Sequence, residues 1–401
     1  MKIAIIGSGR EGKSVLKFLK KAPQYRKAEV VVLDQQDGPD YLKELNSFDL
    51  IFRSPGVPYN LPEIQAAIKS GKKVSSATKL FFELCPAKII GVTGTKGKGT
   101  TSTLISEILK RSGKKVLLAG NIGLSPLEIL PKVDAKTLVV LELSSFQLQD
   151  LDKSPDVAVI TDIFPDHMDV HKDLEEYLAA KSNICNHQVN PGVVFYFSDN
   201  RPGAKIASLC LGKKIAVNAP NNLNKNRILA AAVAKHLGCQ EKVIATTLEN
   251  FRGLEHRLEL VTKKGMVKFY NDSASTNPNT AAAAVSTLIA ETPVILIAGG
   301  KDKNLDYAPL ADELNNHRDR IESLVLYGEN KAKISGSMRE IRLPIEQVRD
   351  LKAAAEIAYK TAKEMDSPVA ILLSPGAASF DMFTDYADRG EQFKKIVRKL
   401  K

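Results

Sequence analysis

The sequence predicts an α/β protein of three domains, built on mostly parallel sheets. Short apolar runs alternate along the chain with segments of helical periodicity. Many of these runs end in glycine-rich or polar loops, as the strands of nucleotide-binding sheets do. The length of 401 residues also suits two or three domains. We expect a Rossmann-like domain at 1–87, a central domain at 88–254 and a third domain at 255–401.

Composition and charge narrow the function classes. Apolar residues make up 44% and charged residues 26%, which is ordinary for a soluble globular protein. No apolar run reaches the ~20 residues that a membrane span needs. The net charge of +11 could indicate nucleic acid, but the lysines are dispersed and aromatic residues are few. We expect no nucleic-acid or membrane partner, and a positive charge that attracts small anionic substrates.

The cysteines and the N-terminus indicate a cellular compartment. Cys85, Cys185, Cys210 and Cys239 stand far apart, in neither a metal-binding nor a disulfide spacing. The first residues, Met1 to Gly7, resemble a strand that leads into a glycine loop rather than a signal peptide. Together these features predict a reducing cytoplasm.

The N-terminal segment carries a dinucleotide-binding fingerprint. The apolar run 3–6 precedes Gly7-Ser-Gly-Arg-Glu-Gly12, a helical pattern follows, and a second apolar run ends at Asp34. Such a unit holds a pyrophosphate at a helix N-terminus and places the acid near a ribose. NAD would satisfy the pattern, and so would a nucleotide-sugar such as a UDP derivative.

A second glycine-rich loop opens the central part. An apolar run, Lys88 to Val92, precedes it, and a helical pattern follows it. The loop contains, in order, Gly94, Thr95, Lys96, Gly97, Lys98, Gly99 and Thr100. Backbone N–H groups of such a loop close on phosphate oxygens, and Lys98 would neutralise them. The spacing departs from G-x-x-x-x-G-K-[ST], since Gly99 follows the lysine. A glycine-rich turn in a parallel sheet is the alternative.

Further along the chain, isolated charges stand where strands should be buried. Glu142 interrupts the apolar run 137–143, and a buried charge needs a partner. Mg²⁺ on the bound nucleotide would be one, and a structural salt bridge is the alternative. Residues 161–171 contain three Asp and two His, which suits a metal-hydrolase cluster or a loop rich in helix caps. Lys181, taken alone, indicates only a surface lysine.

The last third repeats the alternation of strands and helices. Polar clusters at 272–278, 299–303 and 374–380 each follow an apolar run. Ligands bind at the carboxyl ends of strands in this class of sheet. We therefore expect a third binding surface there.

Taken together, these motifs resemble the Mur ligases. The matching segments run through the whole chain: Gly91 to Lys98, Leu141 to Leu148, Asp166 to Asp169, Ala179 to Lys181, His256-Arg257, Asp272 to Asn277, Gly299 to Lys303 and Leu373 to Ser379. The Leu-Ser-Ser-Phe-Gln-Leu and Asp-Ser-x-x-Thr-Asn segments are most similar to members that join D-glutamate to UDP-N-acetylmuramoyl-L-alanine. The resemblance implies a UDP-sugar at the N-terminal fingerprint, a central ATPase domain and a Rossmann-like C-terminal domain that brings the amino acid.

The resemblance also implies a reaction and its cofactors, ATP and two Mg²⁺ ions. ATP phosphorylates the alanyl carboxylate, and the amine of D-glutamate attacks the acyl phosphate. The implied catalytic residues are Lys98, His167 and Lys181, the last as a carbamylated metal ligand. Glu142 and Thr100 would join it at Mg²⁺. The implied UDP-sugar contacts are Arg10, Asp34, Gly56, Asn121, Ser144 and Gln147. Asn224, Arg257 and Asp272 would join the phosphate loop at ATP, and Thr276, Lys303, Ser379 and Tyr386 would hold D-glutamate.

Several positions depart from the family pattern. Gly99 stands where a Ser or Thr coordinates Mg²⁺, so Thr100 or water must substitute. Lys96 stands where Asn is usual, and Ala274 replaces a lysine. The His-Asn-x-x-Asn motif is blurred, and Asn224 and Arg227 are taken as its best matches.

Three other functions would each account for part of the sequence. A sibling ligase for another amino acid, or a polyglutamylating relative, is disfavoured by the Ser-Ser-Phe-Gln motif. An NAD-dependent oxidoreductase leaves Lys98, Glu142 and Lys303 without roles. A non-catalytic nucleotide-binding homologue is suggested by Gly99 and Ala274. We expect a monomer.

Overall fold

The computed structural model describes residues 1–168, 170–189, 192–219, 225–339 and 341–400. The chain divides into two compact units, Met1–Phe251 and Arg252–Lys401. The division falls close to the expected boundary at 254, and the first unit contains two separate sheets. The expected division into three domains stays a prediction.

Strands and helices alternate through the first unit. Its strands are β1 (Lys2–Ile6), β2 (Glu29–Leu33), β3 (Leu50–Arg53), β4 (Lys73–Ser75), β5 (Lys88–Thr93), β6 (Val116–Gly120), β7 (Leu138–Glu142), β8 (Val157–Ile160), β9 (Val193–Phe197) and β10 (Lys213–Val217). Its helices are α1 (Arg10–Lys21), α2 (Pro62–Lys69), α3 (Ala77–Leu84), α4 (Lys98–Arg111), α5 (Pro126–Ile129), α6 (Ser145–Leu148), α7 (Leu174–Ser182), α8 (Arg201–Ser208), α9 (Lys225–His236) and α10 (Glu241–Asn250).

The two sheets of the first unit are parallel. The small sheet has the order β2-β1-β3-β4, and β1 is buried between its neighbours over Ile3 to Ile6. The central sheet has the order β10-β9-β8-β5-β7-β6. β5 lies between β8 and β7, so Val92 pairs with Glu142 and Thr93 with Ile160. The loop that follows β5 therefore begins beside the carboxyl ends of both neighbouring strands, where ligands bind in such sheets.

The second unit is a single six-stranded sheet with helices on both faces. Its strands are β11 (Glu259–Lys264), β12 (Val267–Asn271), β13 (Val294–Gly299), β14 (Ile321–Tyr327), β15 (Ile345–Gln347) and β16 (Val369–Leu373). Its helices are α11 (Pro278–Ile289), α12 (Ala308–Asn316), α13 (Lys331–Ser337), α14 (Leu351–Lys363) and α15 (Tyr386–Lys399). The order is β11-β12-β16-β13-β14-β15, and only β11 is antiparallel among the described residues.

The expected fold class is confirmed: the structure is α/β with mostly parallel sheets. The apolar runs at 29–33, 50–53, 267–271 and 369–373 match strands at both ends. Lys181 lies in the last turn of α7, which ends at Ser182. Sequence analysis missed the neighbouring strands β9 and β10.

A buried ion pair joins the small sheet to the central sheet. Arg53, at the end of β3, donates to the carbonyl oxygens of Val57 and Phe146 and to the carboxylate of Asp150 at 3.2 Å. The two charged side chains are 0% and 4% exposed. Phe146 belongs to α6 and Asp150 follows it, so this pair holds the end of β3 against the central domain's helix.

The cysteine interpretation is wrong in one respect. Cys185 and Cys210 form a disulfide, with Cα atoms 5.1 Å apart, while Cys85 and Cys239 are free. Sequence spacing could not show this, because the two residues are brought together by the packing of α7 against α8. In the described parts of the chain, no helix is long and apolar enough to cross a membrane.

The ion pair gives the first prediction. Asp150→Leu should lower the free energy of unfolding by about 3–5 kcal/mol, because Arg53 is then left as a buried charge without its counter-ion. Urea denaturation followed by circular dichroism measures the change.

The double variant Arg53→Met/Asp150→Leu should regain much of the loss, since no charge remains buried. Lys43→Ala removes an exposed ion pair with Asp40 and should leave stability nearly unchanged. Equal stability of Asp150→Leu and the wild type would show that the buried pair does not hold the sheets together.

Candidate active site

The phosphate loop has glycine at two positions where neighbouring side chains leave little room for a Cβ atom. Gly94 has φ +149°, and a Cβ there would lie 1.9 Å from Thr161 Oγ1. Gly97 has φ +89°, and a Cβ there would lie 2.2 Å from Asn226 Oδ1. Both contacts are shorter than a van der Waals separation, and both φ values lie in the region that L side chains rarely adopt, so glycine is strongly favoured at these two positions.

The end of the neighbouring strand β8 fixes the shape of this loop. The backbone N–H groups of Thr95 and Lys96 donate to the carbonyl oxygen of Asp162, at 2.7 and 3.2 Å. Thr161 Oγ1 donates to the carbonyl oxygen of Lys96 at 2.7 Å. The loop is thus shaped before any ligand binds, which lowers the conformational cost of binding a phosphate.

Two lysines converge on one oxygen of the loop. Lys98 and Lys181 each donate to the carbonyl oxygen of Gly94, both at 2.9 Å. Lys181 is 2% exposed, and its ammonium lies 4.6 Å from the ring centre of Tyr177. Burial, and then the nearby charge of Lys98, hold the pKa of Lys181 well below its usual range. The site therefore combines a lysine suited to phosphate with a second, buried lysine of reduced proton affinity.

Glu142 ends β7 in a buried position beside these lysines. Its Oε1 accepts a hydrogen bond from Asn121 Nδ2 at 3.0 Å. Its Oε2 is buried and has no hydrogen-bond partner among the described residues. A carboxylate oxygen without a hydrogen-bond donor is a ligand that Mg²⁺ accepts, and the choice between the ion and a structural salt bridge stays a prediction.

The three catalytic residues expected from the resemblance line one cavity of about 320 Å³. The lining residues are Pro55, Gly56, Lys98, Asn121, Ser144, Ser145, Phe146, His167, Tyr177 and Lys181. His167 has a positive φ of 57° and its ring centre lies 5.0 Å from that of Phe146. The structure thus gathers residues that are distant in sequence; their roles stay a prediction.

A second cavity, of about 370 Å³, lies over the N-terminal fingerprint. Its lining includes four of the expected UDP-sugar residues: Arg10, Asp34, Gly56 and Asn121. Arg10 also donates to the carbonyl oxygens of Gly120, Asn121 and Gly123. Ser144 lies in the other cavity, and Gln147 lines neither.

The buried amide of Gln147 is shared between two protein groups. Its Oε1 accepts from the backbone N–H of Ser144, and its Nε2 donates to Glu11 Oε1 at 2.6 Å. The side chain is 1% exposed. This position favours a supporting role for Gln147 over a direct contact with the sugar.

Sequence analysis did not assign a role to two residues that line these cavities, Tyr177 and Glu11, or to Asn226, which packs against the phosphate loop. Asn226 contacts Gly97, and its Oδ1 accepts from Thr101 Oγ1 at 3.3 Å. The hydroxyl of Tyr177 lies 2.8 Å from Thr95 Oγ1, and burial raises the pKa of Tyr177 to about 12. Glu11 lines the fingerprint cavity. Two of these residues could have been noticed in the sequence. Glu11 is an acid inside a glycine loop expected to bind phosphate, and Asn226 is an asparagine one residue before Arg227.

The residues expected at D-glutamate lie in the second unit. Thr276, Lys303 and Ser379 follow β12, β13 and β16, which are neighbouring strands. Lys301 N–H donates to the carbonyl oxygen of Ala378, so the loops after β13 and β16 are joined. The ammonium of Lys303 lies 5.5 Å from the ring centre of Phe380.

Other residues of the second unit have distinct surroundings. Tyr386 begins α15 and is partly exposed. Arg257 is exposed. Asp272 is buried, accepts hydrogen bonds from Ser275 and Ser374, and has a pKa raised by burial.

Some expectations fall outside the described residues or find no support. Asn224 and Asp169 lie outside the described ranges. Within those ranges, no three His, Cys, Asp or Glu side chains come together in a way that could hold a metal ion. The metal-hydrolase alternative for 161–171 is therefore not supported by the described part of the segment.

These features define a phosphate-loop α/β protein, and comparison with known proteins is more specific. Residues 92–272 match the family model of the Mur ligase middle domain, and residues 256–374 match that of the Mur ligase glutamate ligase domain. The UDP-N-acetylmuramoylalanine–D-glutamate ligase of Acetivibrio thermocellus is 35% identical, over 100% of this chain and 96% of its own. That of Symbiobacterium thermophilum is 36% identical over 90% and 87%. The chain belongs to the Mur ligase family.

Solved structures agree on the fold. A crystal structure of MurF from Acinetobacter baumannii has a TM-score of 0.61 at 17% identity, covering 80% of this chain and 79% of its own. A MurF ligase from Thermotoga maritima, solved in complex with ADP, has a TM-score of 0.57 at 16% identity, covering 90% and 92%. At these identities the likeness shows the fold alone.

The position of Asn226 gives the second prediction. Asn226→Ala should weaken ATP binding about tenfold, because Gly97 and Thr101 lose the side chain that packs against the loop and accepts a hydrogen bond. Titration calorimetry with ATP measures the affinity.

The adjacent residue supplies a matched control. Arg227 donates instead to the carbonyl oxygen of Phe251, so Arg227→Ala should leave ATP affinity nearly unchanged. A loss of ATP affinity in Arg227→Ala, with none in Asn226→Ala, would contradict this placement.

Proposed function

We propose that the protein is an ATP-dependent ligase that joins D-glutamate to UDP-N-acetylmuramoyl-L-alanine through an acyl phosphate. One observation carries the proposal: Lys98 and Lys181 meet at Gly94 in a cavity that shares residues with the fingerprint cavity. The shared residues are Pro55, Gly56 and Asn121. A substrate whose nucleotide lies over the fingerprint can therefore extend its acyl end to the phosphate loop.

The chemistry requires such a site. A carboxylate has no leaving group, and transfer of a phosphoryl group from ATP supplies one. The substrate carboxylate and the γ-phosphate are both anionic, so they approach only where cations offset their charge. Lys98, at the start of α4, would bind the phosphates of ATP together with the loop N–H groups. The amine of D-glutamate then attacks the acyl carbon, and phosphate leaves.

The residues at the site fit a magnesium ion. Mg²⁺ in nucleotide sites keeps several waters and takes one or two carboxylates plus phosphate oxygens. Glu142 Oε2 is buried and has no hydrogen-bond partner in the part of the chain that the structure describes, and Thr100 lies in the first turn of α4. Glu142 and Thr100 would hold the ion. The hydroxyl of Thr100 would take the place of the Ser or Thr that the family pattern has where Gly99 stands. When bound, Mg²⁺ would neutralise charge on the phosphates.

We further propose that Lys181 carries a carbamate. Its burial lowers its pKa, so a larger fraction of the amine is neutral near pH 7 than for an exposed lysine. The neutral amine is the form that reacts with CO₂. A carbamate would also remove a buried positive charge beside Lys98 and provide oxygen ligands close to Glu142.

The second unit would supply the amino acid. Thr276, Lys303, Ser379 and Tyr386 are proposed to hold D-glutamate at the carboxyl ends of β12, β13 and β16. Arg257 and Asp272 are proposed to reach ATP, and His167 to lie near a second Mg²⁺ or the incoming amine. The cytoplasmic location and monomeric state expected from the sequence stay predictions.

The third prediction tests the reaction. Purified protein with ATP, Mg²⁺ and UDP-N-acetylmuramoyl-L-alanine should release phosphate when D-glutamate is added. The panel should include L-glutamate, D-aspartate and the diamino acids as controls, and phosphate release measures turnover. Release of phosphate only with another amino acid would indicate a Mur-type ligase that adds that amino acid instead of D-glutamate. ATP binding without release for any amino acid would identify a non-catalytic homologue.

The fourth prediction tests Lys181. Lys181→Ala should reduce turnover by at least about a thousandfold, because a metal ligand is lost at the reacting phosphate. Short-chain carboxylic acids should restore part of the rate, since they can replace the carbamate oxygens in the space left by the side chain.

Lys181→Arg is the matched control for charge. It keeps a cation and cannot form a carbamate, so it should be inactive and should not respond to added acids. Full activity of either variant would exclude the carbamate.

A further inference from the structure

Lys225, the first residue of α9, joins the ends of two strands of the central sheet. Its Nζ donates to Asp162 Oδ1 at 2.9 Å and to Asp199 Oδ2 at 3.1 Å. Asp162 follows β8, and Asp199 follows the neighbouring strand β9. The side chains of Lys225 and Asp162 are 21% and 20% exposed, so this contact is mostly withdrawn from water. Lys225 has no role in the reaction proposed above.

The surroundings of the ammonium keep it charged. It lies 4.5 Å from the ring centre of Phe197, the last residue of β9, which adds a cation–π contact. Burial lowers the pKa of Lys225, but the hydrogen bonds to Asp162 and Asp199 outweigh burial and raise it. One fixed cation therefore offsets two carboxylates at this edge of the sheet.

Asp162 is also the residue that shapes the phosphate loop. Its carbonyl oxygen accepts the backbone N–H groups of Thr95 and Lys96. Asn200 holds both backbone groups of the residue that follows Asp162. The segment after β8 is thus fixed through its backbone by the loop and by Asn200, and through its carboxylate by Lys225.

The residue after Lys225 contacts the same loop from another direction. Asn226 packs against Gly97, and its Oδ1 accepts from Thr101 Oγ1. Because Lys225 ties the start of α9 to the end of β8, it also fixes where Asn226 lies. Both sides of the phosphate loop therefore depend on this one ammonium group.

The charge balance leads to the same residue. Without Lys225, the carboxylates of Asp162 and Asp199 would repel each other and move apart. Two uncompensated negative charges would also oppose the approach of a polyphosphate to the loop that Asp162 contacts.

We propose that Lys225 is a positioning residue for ATP: it neutralises Asp162 and Asp199, and it holds the segment after β8 and the start of α9 where they shape the phosphate loop. The proposal rests on the proposed function, because it assumes that ATP binds this loop. Lys225 acts through Asp162 and Asn226 and is not itself assigned a contact with the nucleotide.

Binding of ATP in the absence of the other substrates tests the proposal. Lys225→Met keeps a long unbranched side chain and removes its charge. Its affinity for ATP should fall about tenfold, because the loop loses its support and two carboxylates lose their counter-ion. Its affinity for UDP should not change, since the fingerprint cavity is lined by other residues. High salt should reduce the loss for ATP, because it screens the two carboxylates. Titration calorimetry at low and high salt measures these affinities.

The same helix supplies a matched control. Lys235→Met removes a cation whose partner, Glu241, is exposed, so ATP affinity should stay at the wild-type value. Lys225→Arg keeps a cation that can pair with both carboxylates and should retain most of the affinity. The triple variant Lys225→Met/Asp162→Asn/Asp199→Asn leaves neither carboxylate charged and should regain part of the loss.

Turnover separates positioning from a general effect on folding. In Lys225→Met the KM for ATP should rise by the factor seen in binding, while kcat and the KM for D-glutamate should change by less than about twofold. A variant that was merely less stable would lose active protein, which lowers kcat and leaves both KM values unchanged.

Two results would overturn the proposal. One is unchanged ATP affinity in Lys225→Met, even if the variant unfolds at a lower temperature. The other is an equal loss in Lys225→Arg and Lys225→Met. Failure of the proposed function has a different signature, because the wild type would then bind ATP, and respond to Lys225→Met, without releasing phosphate for any amino acid. A wild type that does not bind ATP would contradict both.

Discussion

The ammonium groups of Lys98 and Lys181 donate to the same acceptor, the carbonyl oxygen of Gly94, and the candidate site depends on this contact. Like charges held this close repel each other, and one of them, Lys181, is buried. Such an arrangement is stable only if an anion lies nearby or a charge is removed. Glu142 is the buried acid at this end of the sheet, and a phosphate or a carbamate would complete the balance. Gly94 and Gly97 lack a side chain for a separate reason, since a Cβ there would collide with Thr161 or Asn226 at backbone angles that favour glycine.

A second constraint acts between the two sheets of the first unit. Arg53 and Glu11 come from the small sheet and its first helix, and both bind the segment from Phe146 to Asp150. Phe146, the first residue of that segment, also lines the phosphate-loop cavity. Because these polar groups are buried, their loss would be costly, so the fingerprint cavity and the phosphate loop are held in a fixed relation. A ligase that brings a sugar-linked carboxylate to ATP depends on that relation.

Sequence analysis predicted the fold class, and it predicted residues of the candidate site from the glycine-rich and polar loops that follow the apolar runs. Gly7, Gly94 and Lys98 have local signatures, because a strand, a glycine turn and a helix start are encoded by neighbouring residues. Other residues carried no such signal. Lys181 resembled a surface lysine until family resemblance gave it a role, and its burial depends on packing of α7 against the loop. Sequence analysis matched Arg227, not its neighbour Asn226, to the second Asn of the family motif. Which of two adjacent helical residues faces the loop depends on the orientation of the helix, and the sequence does not give that orientation.

The sequence by itself determined the alternation of strands and helices, the two glycine loops and the order of the motifs, all of which arise from contacts between near neighbours in the chain. Tertiary structure decided which side chains meet. The disulfide between Cys185 and Cys210, the Arg53–Asp150 pair and the bond from Gln147 to Glu11 all join residues that are 25 or more positions apart. Burial and orientation set those contacts, and both depend on how the sheets pack. Glu11 is the clearest case: the motif showed an acid, and only the packed structure showed that its carboxylate is buried and accepts a hydrogen bond from Gln147.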